Sequence, residues 1–543
     1  MSRRRLLSGL AGAAALIAAV TVVSRLLGFV RSLVFASAVG VTGIGNAYNA
    51  ANTIPNVLFE VAAGGALTGA LIPVLAAPLA RGMRADVSRI SSAMLTWALS
   101  GLVLIGGLLA LLARPVAELT AANSDPELVV FFLRVFAVQI PLYGLAVVLS
   151  GVLQAQKRFF WPAFVPVLSS LVVIATYAGY GWLLRREGLP VTLEPGELPS
   201  GAVELLAWGT TAGVLAMGLP LLVPVLRSGV RLRPSFRFPP GVGSRARSLA
   251  LAGVGGLVAQ QLSMLAVLKL TDAYGSTGTL VAWQTLIYPV YLLPYAVLAV
   301  PLATSTFPRL AERASRPDRQ GFGRLTAVTT RGVLTASTVG AVALIAAAPA
   351  VTTVFGRIGN GDADLLGALS GPLALTAPGL LGFGLIFHVS RALYALEQGR
   401  SAVIGASVGW AVVIAASWIG CAALVGSGQD GPATLRSLAV GNTVGMLTAG
   451  VVLLVLLRRA AGAEAVQGIA RSTAVLVAAG AAGSVLGRLV VDAGQSMLGG
   501  VGGAVLAAVA GALVGAAVLV AGVWVTDRSA ITGLLRRGRT VEE

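Results

Sequence analysis

Apolar residues dominate this chain in long runs, and short polar or charged segments separate the runs. A helix needs about 20 apolar residues to cross a hydrocarbon core about 30 Å thick. Windows of that kind predict about 14 transmembrane helices. The windows lie at 10–36, 46–78, 89–113, 128–155, 160–184, 202–226, 247–271, 278–308, 326–355, 364–395, 401–426, 434–457, 470–491 and 499–525.

The composition favours the same class. Hydrophobic residues make up 56% of the 543 residues and charged residues only 11%, whereas about a quarter of the residues in a soluble protein are charged. The 68 glycines suit helices that pack closely through small residues, because lipid offers no hydrophobic drive for helix association. The predicted fold class is therefore an all-α polytopic membrane protein.

The formal net charge of +18 changes the interpretation little. The basic residues fall in short loops between apolar runs, where they serve topology and contacts with anionic headgroups. Membrane lipids are therefore expected partners and nucleic acid is not. The loops rich in arginine alternate with acidic loops, so both termini are predicted to be cytoplasmic. The basic loops include Arg81, Arg84 and Arg89, Lys157 and Arg158, residues 227–247, residues 309–324, Arg400, Arg458 and Arg459, and residues 528–539.

The chain contains one cysteine and one histidine, which limits the disulfide and metal sites that it could form. Cys421 is the only cysteine and His388 the only histidine, so neither an internal disulfide nor a histidine metal cluster is expected. No metal site and no cofactor are predicted. His388 is interpreted as a hydrogen-bonded packing residue. The segment after Arg3, Arg4 and Arg5 imitates a secretory signal, but Arg25 and Arg31 interrupt its apolar run, so it is predicted to be an uncleaved first helix.

The chain repeats itself weakly. At an offset of 240 residues, Gly144, Leu145, Ser150, Leu153 and Ala155 match Gly384, Leu385, Ser390, Leu393 and Ala395; at 235, Leu67, Pro73, Leu75 and Ala76 match Leu302, Pro308, Leu310 and Ala311. Such repeats in transporters indicate duplicated helical lobes with the substrate site between them. The predicted parts are a six-helix lobe (1–228), a cytoplasmic basic linker (229–244), a second six-helix lobe (245–460), and two extra helices with a basic tail (461–543).

Several ordered motifs carry a family resemblance. They are Ser24–Arg31, Asn52–Asn56, the run Phe59–Leu67, Ser150–Phe159 and Pro162–Leu168. In order and spacing they resemble the MurJ (MviN) family of lipid II flippases, in the multidrug/oligosaccharidyl-lipid/polysaccharide exporter superfamily. The resemblance implies a bacterial cytoplasmic-membrane transporter, not an enzyme. It would move undecaprenyl-diphosphate-linked muropeptide to the outer leaflet by alternating access, with lipid II and cell-wall synthesis proteins as partners.

The resemblance places the family's essential arginines of the first helix on Arg25 and Arg31. Arginine suits a lipid diphosphate because its planar fork pairs with phosphate oxygens and stays protonated when partly desolvated. The two lie about 9 Å apart along an ideal helix and about 120° around it, and a bend at Gly28 would bring them closer. The alternative is that Arg31 reaches the interface and Arg25 pairs with Glu60.

Other candidate substrate-binding residues are Asn56, Glu60, Lys269, Arg331 and Arg391. The last three lie near helix ends, where snorkelling to the interface is the alternative. Glu60 lies within the second apolar window, so its carboxylate is expected either to neutralise an arginine or to bind a coupling cation; a cation or the membrane potential is open as the energy source. The predicted gating or helix-breaking residues are Gly28, Pro55, Gly64, Gly65, Pro294 and Pro308.

The sequence departs from the family at four places: Ser32 and Asn46 replace acids, Phe59 replaces an arginine, and Tyr288–Pro289 stands where many members have an Asp-Arg pair. Other functions therefore stay open. They are an exporter of another polyprenyl-linked glycan, a drug/cation antiporter, an enzyme acting on polyprenyl phosphates, and a degenerate homologue with a scaffold role. The antiporter should line its cavity with acids, and the enzyme needs paired carboxylates or a metal site.

Overall fold

A computed structural model describes residues 3–61, 68–121, 124–193, 195–314 and 318–526. These segments form helices, and none of them forms a β-strand. The chain divides into two compact units, Met1–Asp272 and Ala273–Glu543. The predicted boundaries of the lobes, linker and tail remain predictions.

The first unit contains the helices up to α11, whose last residues cross the boundary. They are α1 (Arg3–Ala38), α2 (Gly43–Phe59), α3 (Thr68–Ala80), α4 (Arg84–Leu111), α5 (Ala113–Thr120), α6 (Pro126–Ala137), α7 (Gln139–Ala155), α8 (Phe160–Arg186), α9 (Ser200–Gly218), α10 (Leu222–Arg227) and α11 (Val242–Tyr274).

The second unit contains eleven further α-helices among its described residues. They are α12 (Thr279–Val281), α13 (Tyr288–Pro294), α14 (Val300–Ala314), α15 (Arg319–Ile358), α16 (Ala363–Gly367), α17 (Ser370–Thr376), α18 (Gly379–Ala395), α19 (Gly399–Leu424), α20 (Gly431–Ala461), α21 (Ile469–Met497) and α22 (Gly500–Thr526). Short π-helical segments, Ala282–Ile287 and Tyr295–Ala299, separate α12, α13 and α14.

Eleven helical segments in the described part of the chain are long and apolar enough to cross a membrane. They coincide with eleven of the fourteen predicted windows, so the prediction of a polytopic all-α membrane protein is confirmed. The other three windows, 10–36, 46–78 and 247–271, contain residues that the structure describes only in part. The count of fourteen stays a prediction.

Helix starts follow local capping chemistry. The Thr42 side chain accepts a hydrogen bond from the Gly45 amide and begins α2. Asp125 caps α6 in the same way, with Pro126 in its first turn, where proline loses no helical hydrogen bond. These caps fix the residues at which the two helices begin.

Small residues let neighbouring helices approach closely, as the glycine content predicts. A Cβ atom added at Gly382 of α18 would lie 2.0 Å from the Met446 carbonyl oxygen of α20, and one at Gly445 would lie 2.7 Å from the Gly409 carbonyl oxygen of α19. No other residue type fits there without moving backbone. This is the packing expected of helices that associate in lipid.

The internal repeat is visible in the helix bounds. Helix α7 (Gln139–Ala155) and helix α18 (Gly379–Ala395) have the same length at an offset of 240 residues, as the sequence matches predict. Helices α4 and α15 begin 235 residues apart, at Arg84 and Arg319. These bounds are consistent with the predicted repeat, and the duplication of whole lobes stays a prediction.

Candidate functional site

The two predicted arginines of α1 are both exposed. Arg25 and Arg31 lie on a helix that continues without interruption through Gly28, and a Cβ atom at Gly28 would meet nothing within 4 Å. Among the described residues, neither arginine forms an ion pair within 4.0 Å. The alternative pairing of Arg25 with Glu60 is thus not formed in this structure, and two cations are left available.

Arg31 lies beside a layer of tyrosine hydroxyl groups that sequence reasoning missed. Tyr48 of α2, Tyr143 of α7 and Tyr177 of α8 lie within electrostatic range of its guanidinium. The Tyr48 hydroxyl lies 2.9 Å from that of Tyr177 and 2.9 Å from Thr210 Oγ1 of α9. These hydrogen bonds join α2, α8 and α9 in one hydroxyl network. The sequence shows only that these tyrosines lie within apolar windows, and such residues are usually interpreted as ordinary core residues.

The end of α2 connects Asn56 and Glu60 to the same layer. The Tyr143 hydroxyl donates to Asn56 Oδ1 at 3.0 Å, and the Phe59 ring stacks on the Tyr143 ring with centroids 4.3 Å apart. Glu60 is exposed and lies within electrostatic range of Tyr143, as Arg31 does. The structure therefore brings Arg31, Asn56 and Glu60 around one tyrosine. Phe59, which replaces a cation of the family, supports that tyrosine by stacking.

The three other departures from the family also have local partners. Asn46 Nδ2 donates to Ser124 Oγ at 3.1 Å, and the buried Ser32 hydroxyl lies 3.5 Å from the Gly28 carbonyl oxygen of its own helix. Tyr288 packs near Tyr291, with ring centroids 6.0 Å apart. At these positions neutral contacts stand where the family pattern has charges.

Lys269 of α11 is engaged by two groups of the protein. Its ammonium donates to the Leu119 carbonyl oxygen at 2.8 Å and lies 3.5 Å from Asp272 Oδ2. Both partners satisfy the charge, so the structure gives Lys269 an anchoring environment. Its predicted part in substrate binding stays a prediction.

Arg391 of α18 is also engaged. Its guanidinium lies 3.8 Å from the centroid of the Phe387 ring and donates to Thr304 Oγ1 at 2.9 Å. One turn away, His388 is fully buried and its Nε2 lies 3.1 Å from Thr329 Oγ1. His388 is therefore the hydrogen-bonded packing residue that the sequence predicts.

Arg331 of α15 is half-buried. A Cβ atom at Gly468 would lie 3.5 Å from its Nη1, so the guanidinium lies against the turn before α21. Its Nε is buried and has no hydrogen-bond partner in the described part of the chain. Packing rather than charge pairing holds this arginine.

The predicted helix-breaking residues fall in different settings. The α-helical hydrogen bonding of α2 changes to a π turn at Glu60, and a π-helical segment begins immediately after Pro294. Such turns are frequent at functional sites. Pro55 and Pro308 lie inside α2 and α14. Gly64 and Gly65 lie outside the described residues, and the gating roles remain predictions.

Within the part of the chain that the structure describes, no group of three or more histidine, cysteine, aspartate and glutamate residues could hold a metal ion. The site consists of cations, hydroxyl groups, an amide and one carboxylate. Groups of these kinds can bind and orient a charged ligand.

The chain is similar in sequence to known membrane proteins. A Rhizobium meliloti protein named probable lipid II flippase MurJ is 26% identical over 402 residues, 72% of each chain. A Synechocystis protein of the same name is 29% identical over 414 residues, again 72% of each chain.

Solved structures show the same architecture. A lipid II flippase MurJ in an inward closed conformation matches with a TM-score of 0.71 at 18% identity, covering 95% of this chain and 99% of that one. An inward-facing MATE family transporter of the MOP superfamily matches with a TM-score of 0.63 at 13% identity, covering 84% and 96%. These likenesses establish the fold.

The family itself is fixed by sequence. The sequence model described as "Lipid II flippase MurJ" matches residues 35–499, most of the chain. The match begins after Arg31, so it does not depend on the first motif. Together with the helical fold, it shows a multi-pass membrane transporter and not an enzyme: the chain belongs to the lipid II flippase MurJ family.

Proposed function

We propose that this protein is a lipid II flippase of the bacterial cytoplasmic membrane, which moves the undecaprenyl-diphosphate-linked precursor from the inner to the outer leaflet. Family membership supports the transported class. The observation that carries the proposal is the pair of exposed arginines on α1, Arg25 and Arg31, which have no ion-pair partner among the described carboxylates.

The chemistry of the first unit suits a diphosphate. A guanidinium donates two parallel hydrogen bonds to phosphate oxygens and keeps its charge when partly desolvated. The hydroxyl groups beside Arg31 belong to tyrosines that hydrogen-bond to one another or to Asn56. These groups carry no charge, so they leave the Arg31 cation available to an anionic headgroup.

Transport by alternating access needs the protein to bind the lipid differently in two conformations. The π turns at Glu60 and after Pro294 lie at corresponding places, because 235 residues separate Glu60 from Tyr295. They are our proposed points of helix movement in each half. We further propose that both termini are cytoplasmic and that cell-wall synthesis proteins are partners.

The test is depletion of the protein in its native bacterium, followed by quantification of lipid II in each leaflet. Lipid II should accumulate in the inner leaflet and fall in the outer leaflet. Re-expression of the unaltered chain should restore the distribution. An unchanged leaflet ratio after depletion, with no redundant flippase expressed, would contradict the proposal.

A further inference from the structure

A second basic site lies in the first unit, separate from the α1 arginines. Three loops enclose a cavity of about 530 Å³, and its lining includes Arg84, Lys157 and Arg158. These loops join α3 to α4, α7 to α8, and α10 to α11. Because all three contribute to one cavity, they lie on the same side of the membrane, as the positive-inside pattern predicts.

The cavity combines cations with apolar walls. Leu79 and Val87 line it together with the three basic residues, and Val87 belongs to the buried core of this unit. The three basic side chains are exposed. An apolar wall beneath a cationic rim suits the glycerol and upper acyl region of a lipid below its phosphate, whereas a soluble anion needs no such wall.

A polar group in the cavity also lacks a partner. Gln156 lines it, and its side-chain oxygen is buried without a hydrogen bond among the described residues. The two ends of an amide are assigned by their hydrogen bonds, so the side chain is free to turn its NH₂ group toward an anionic oxygen. Arg84 also begins α4, and the positive end of a long helix favours an anion there.

The wall formed by Gly229 and Val230 is fixed in place. The segment that follows runs along α4, where the amides of Arg231 and Arg233 donate to Ser88 Oγ at 3.1 Å and to Ser92 Oγ at 3.0 Å. Farther along, the exposed Trp97 indole donates to the Phe236 carbonyl oxygen at 3.0 Å. Exposed aromatic side chains of this kind are typical of the headgroup region.

We propose that this cavity binds the phosphate headgroup of an anionic phospholipid, as a site distinct from the one that binds the transported lipid. Arg84, Lys157 and Arg158 would neutralise the phosphate and Gln156 would donate to it. The apolar wall would hold the glycerol end of the acyl chains. The inference stands whether or not the protein flips lipid II.

The internal repeat supplies a conservative test. Lys157 and Glu397 occupy equivalent turns after α7 and α18, with φ of 62° and 61°. The Lys157 amide donates to the Gln154 carbonyl oxygen at 2.9 Å, and the Glu397 amide to that of Tyr394 at 3.0 Å. The double variant Lys157→Glu/Arg158→Gln therefore places the residues of the second turn on a backbone that accepts them.

The experiment measures binding of phosphatidylglycerol to the purified full-length protein by native mass spectrometry, with phosphatidylcholine and inorganic phosphate as parallel probes. The unaltered protein should retain phosphatidylglycerol and bind the other two at least tenfold more weakly. The double variant should lose about tenfold or more in phosphatidylglycerol binding. The control Arg458→Glu/Arg459→Gln makes the same charge change on exposed residues at the end of α20 and should bind normally.

Three results would overturn the proposal. The first is unchanged phosphatidylglycerol binding by the double variant. The second is an equal loss of binding in the control, which would indicate an effect of surface charge in general. The third is a preference for inorganic phosphate, which would indicate a soluble ligand. If the double variant does not purify as a folded protein, Arg158→Gln alone should still weaken binding about threefold. Unchanged binding by that single variant is equally decisive against the site.

Discussion

The arginines of the two units differ in how the protein holds them. On α1, Arg25 and Arg31 are exposed and have no ion pair among the described residues. On α18, Arg391 lies on the Phe387 ring and donates to Thr304. A cation that already has protein partners gains less from a new anion, because those contacts must be given up. We therefore propose that substrate binding belongs to the first unit.

The turns after α7 and α18 share a backbone conformation but differ in the charge of their side chains. The two turns have the same hydrogen-bond pattern, and each has a left-handed backbone conformation at the same position. One turn carries Lys157 and Arg158, whereas the other carries Glu397 and Gln398. The backbone is the same at the two turns, while the side chains differ in charge. A comparison of side chains at equivalent positions therefore indicates where the two units differ in function.

The largest effect is expected from Arg25→Ala. Loss of a bidentate, charge-assisted contact to the diphosphate should reduce function about a hundredfold or more. In a depleted strain, this variant should insert normally but fail to restore growth. Arg89→Ala is the matched control, since Arg89 is exposed and forms only a 3.7 Å surface pair with Asp86. Normal growth of the Arg25→Ala strain at equal expression would contradict the proposal that the first unit, rather than the second, binds the substrate.

Arg31→Lys sharpens the comparison by keeping the charge. Lysine is a point charge and cannot reproduce the two parallel hydrogen bonds of a guanidinium, so flipping should fall about tenfold. The measurement is the initial rate of lipid II flipping in proteoliposomes. Full activity would show that charge alone suffices, which favours interfacial snorkelling for Arg31.

Arg391→Gln tests the other side of the comparison. Flipping should stay within about threefold of the unaltered rate, while loss of the ring and Thr304 contacts should lower the free energy of unfolding by about 1 kcal/mol. Thermal unfolding in detergent measures the second quantity. A loss of flipping as large as that of Arg25→Ala, with unchanged thermal stability, would place Arg391 in the substrate site.

Glu60→Gln should have the smallest effect if Glu60 serves to moderate the charge of the nearby arginine. Flipping should persist and lipid II binding should become slightly tighter, because one negative charge leaves the site. The assay compares proteoliposomes with and without an imposed cation gradient. A gradient dependence that disappears in Glu60→Gln would show instead that this carboxylate couples transport to a cation.

The sequence predicts the fold well because long apolar windows have one physical solution in a membrane. Charge is rare inside such windows, so the sequence marks Arg25 and Arg31 as candidate site residues. Tyr48, Tyr143 and Tyr177 were missed, since a tyrosine in an apolar run has no periodic signal and its hydroxyl partners come from other helices. The partner of Lys269 lies at Leu119, 150 residues away, and only tertiary structure reveals such a pair.

Local irregularities were also beyond the sequence. Prolines predict that a helix is disturbed, but the change to π hydrogen bonding occurs at Glu60 and after Pro294, while α2 continues through Pro55. Where a helix yields depends on the contacts around it as well as on proline. The basic cavity depends on three loops far apart in sequence, so composition indicates only that basic loops exist.

The central claim is that the first unit, through α1, binds the diphosphate of the transported lipid. The most direct test is the flipping rate of fluorescent lipid II in proteoliposomes that contain the purified protein, the Arg25→Ala/Arg31→Ala variant or Arg391→Gln. We expect rapid flipping by the unaltered protein and by Arg391→Gln, and the rate of protein-free vesicles for the α1 double variant. Flipping by the α1 double variant at the unaltered rate would contradict the account.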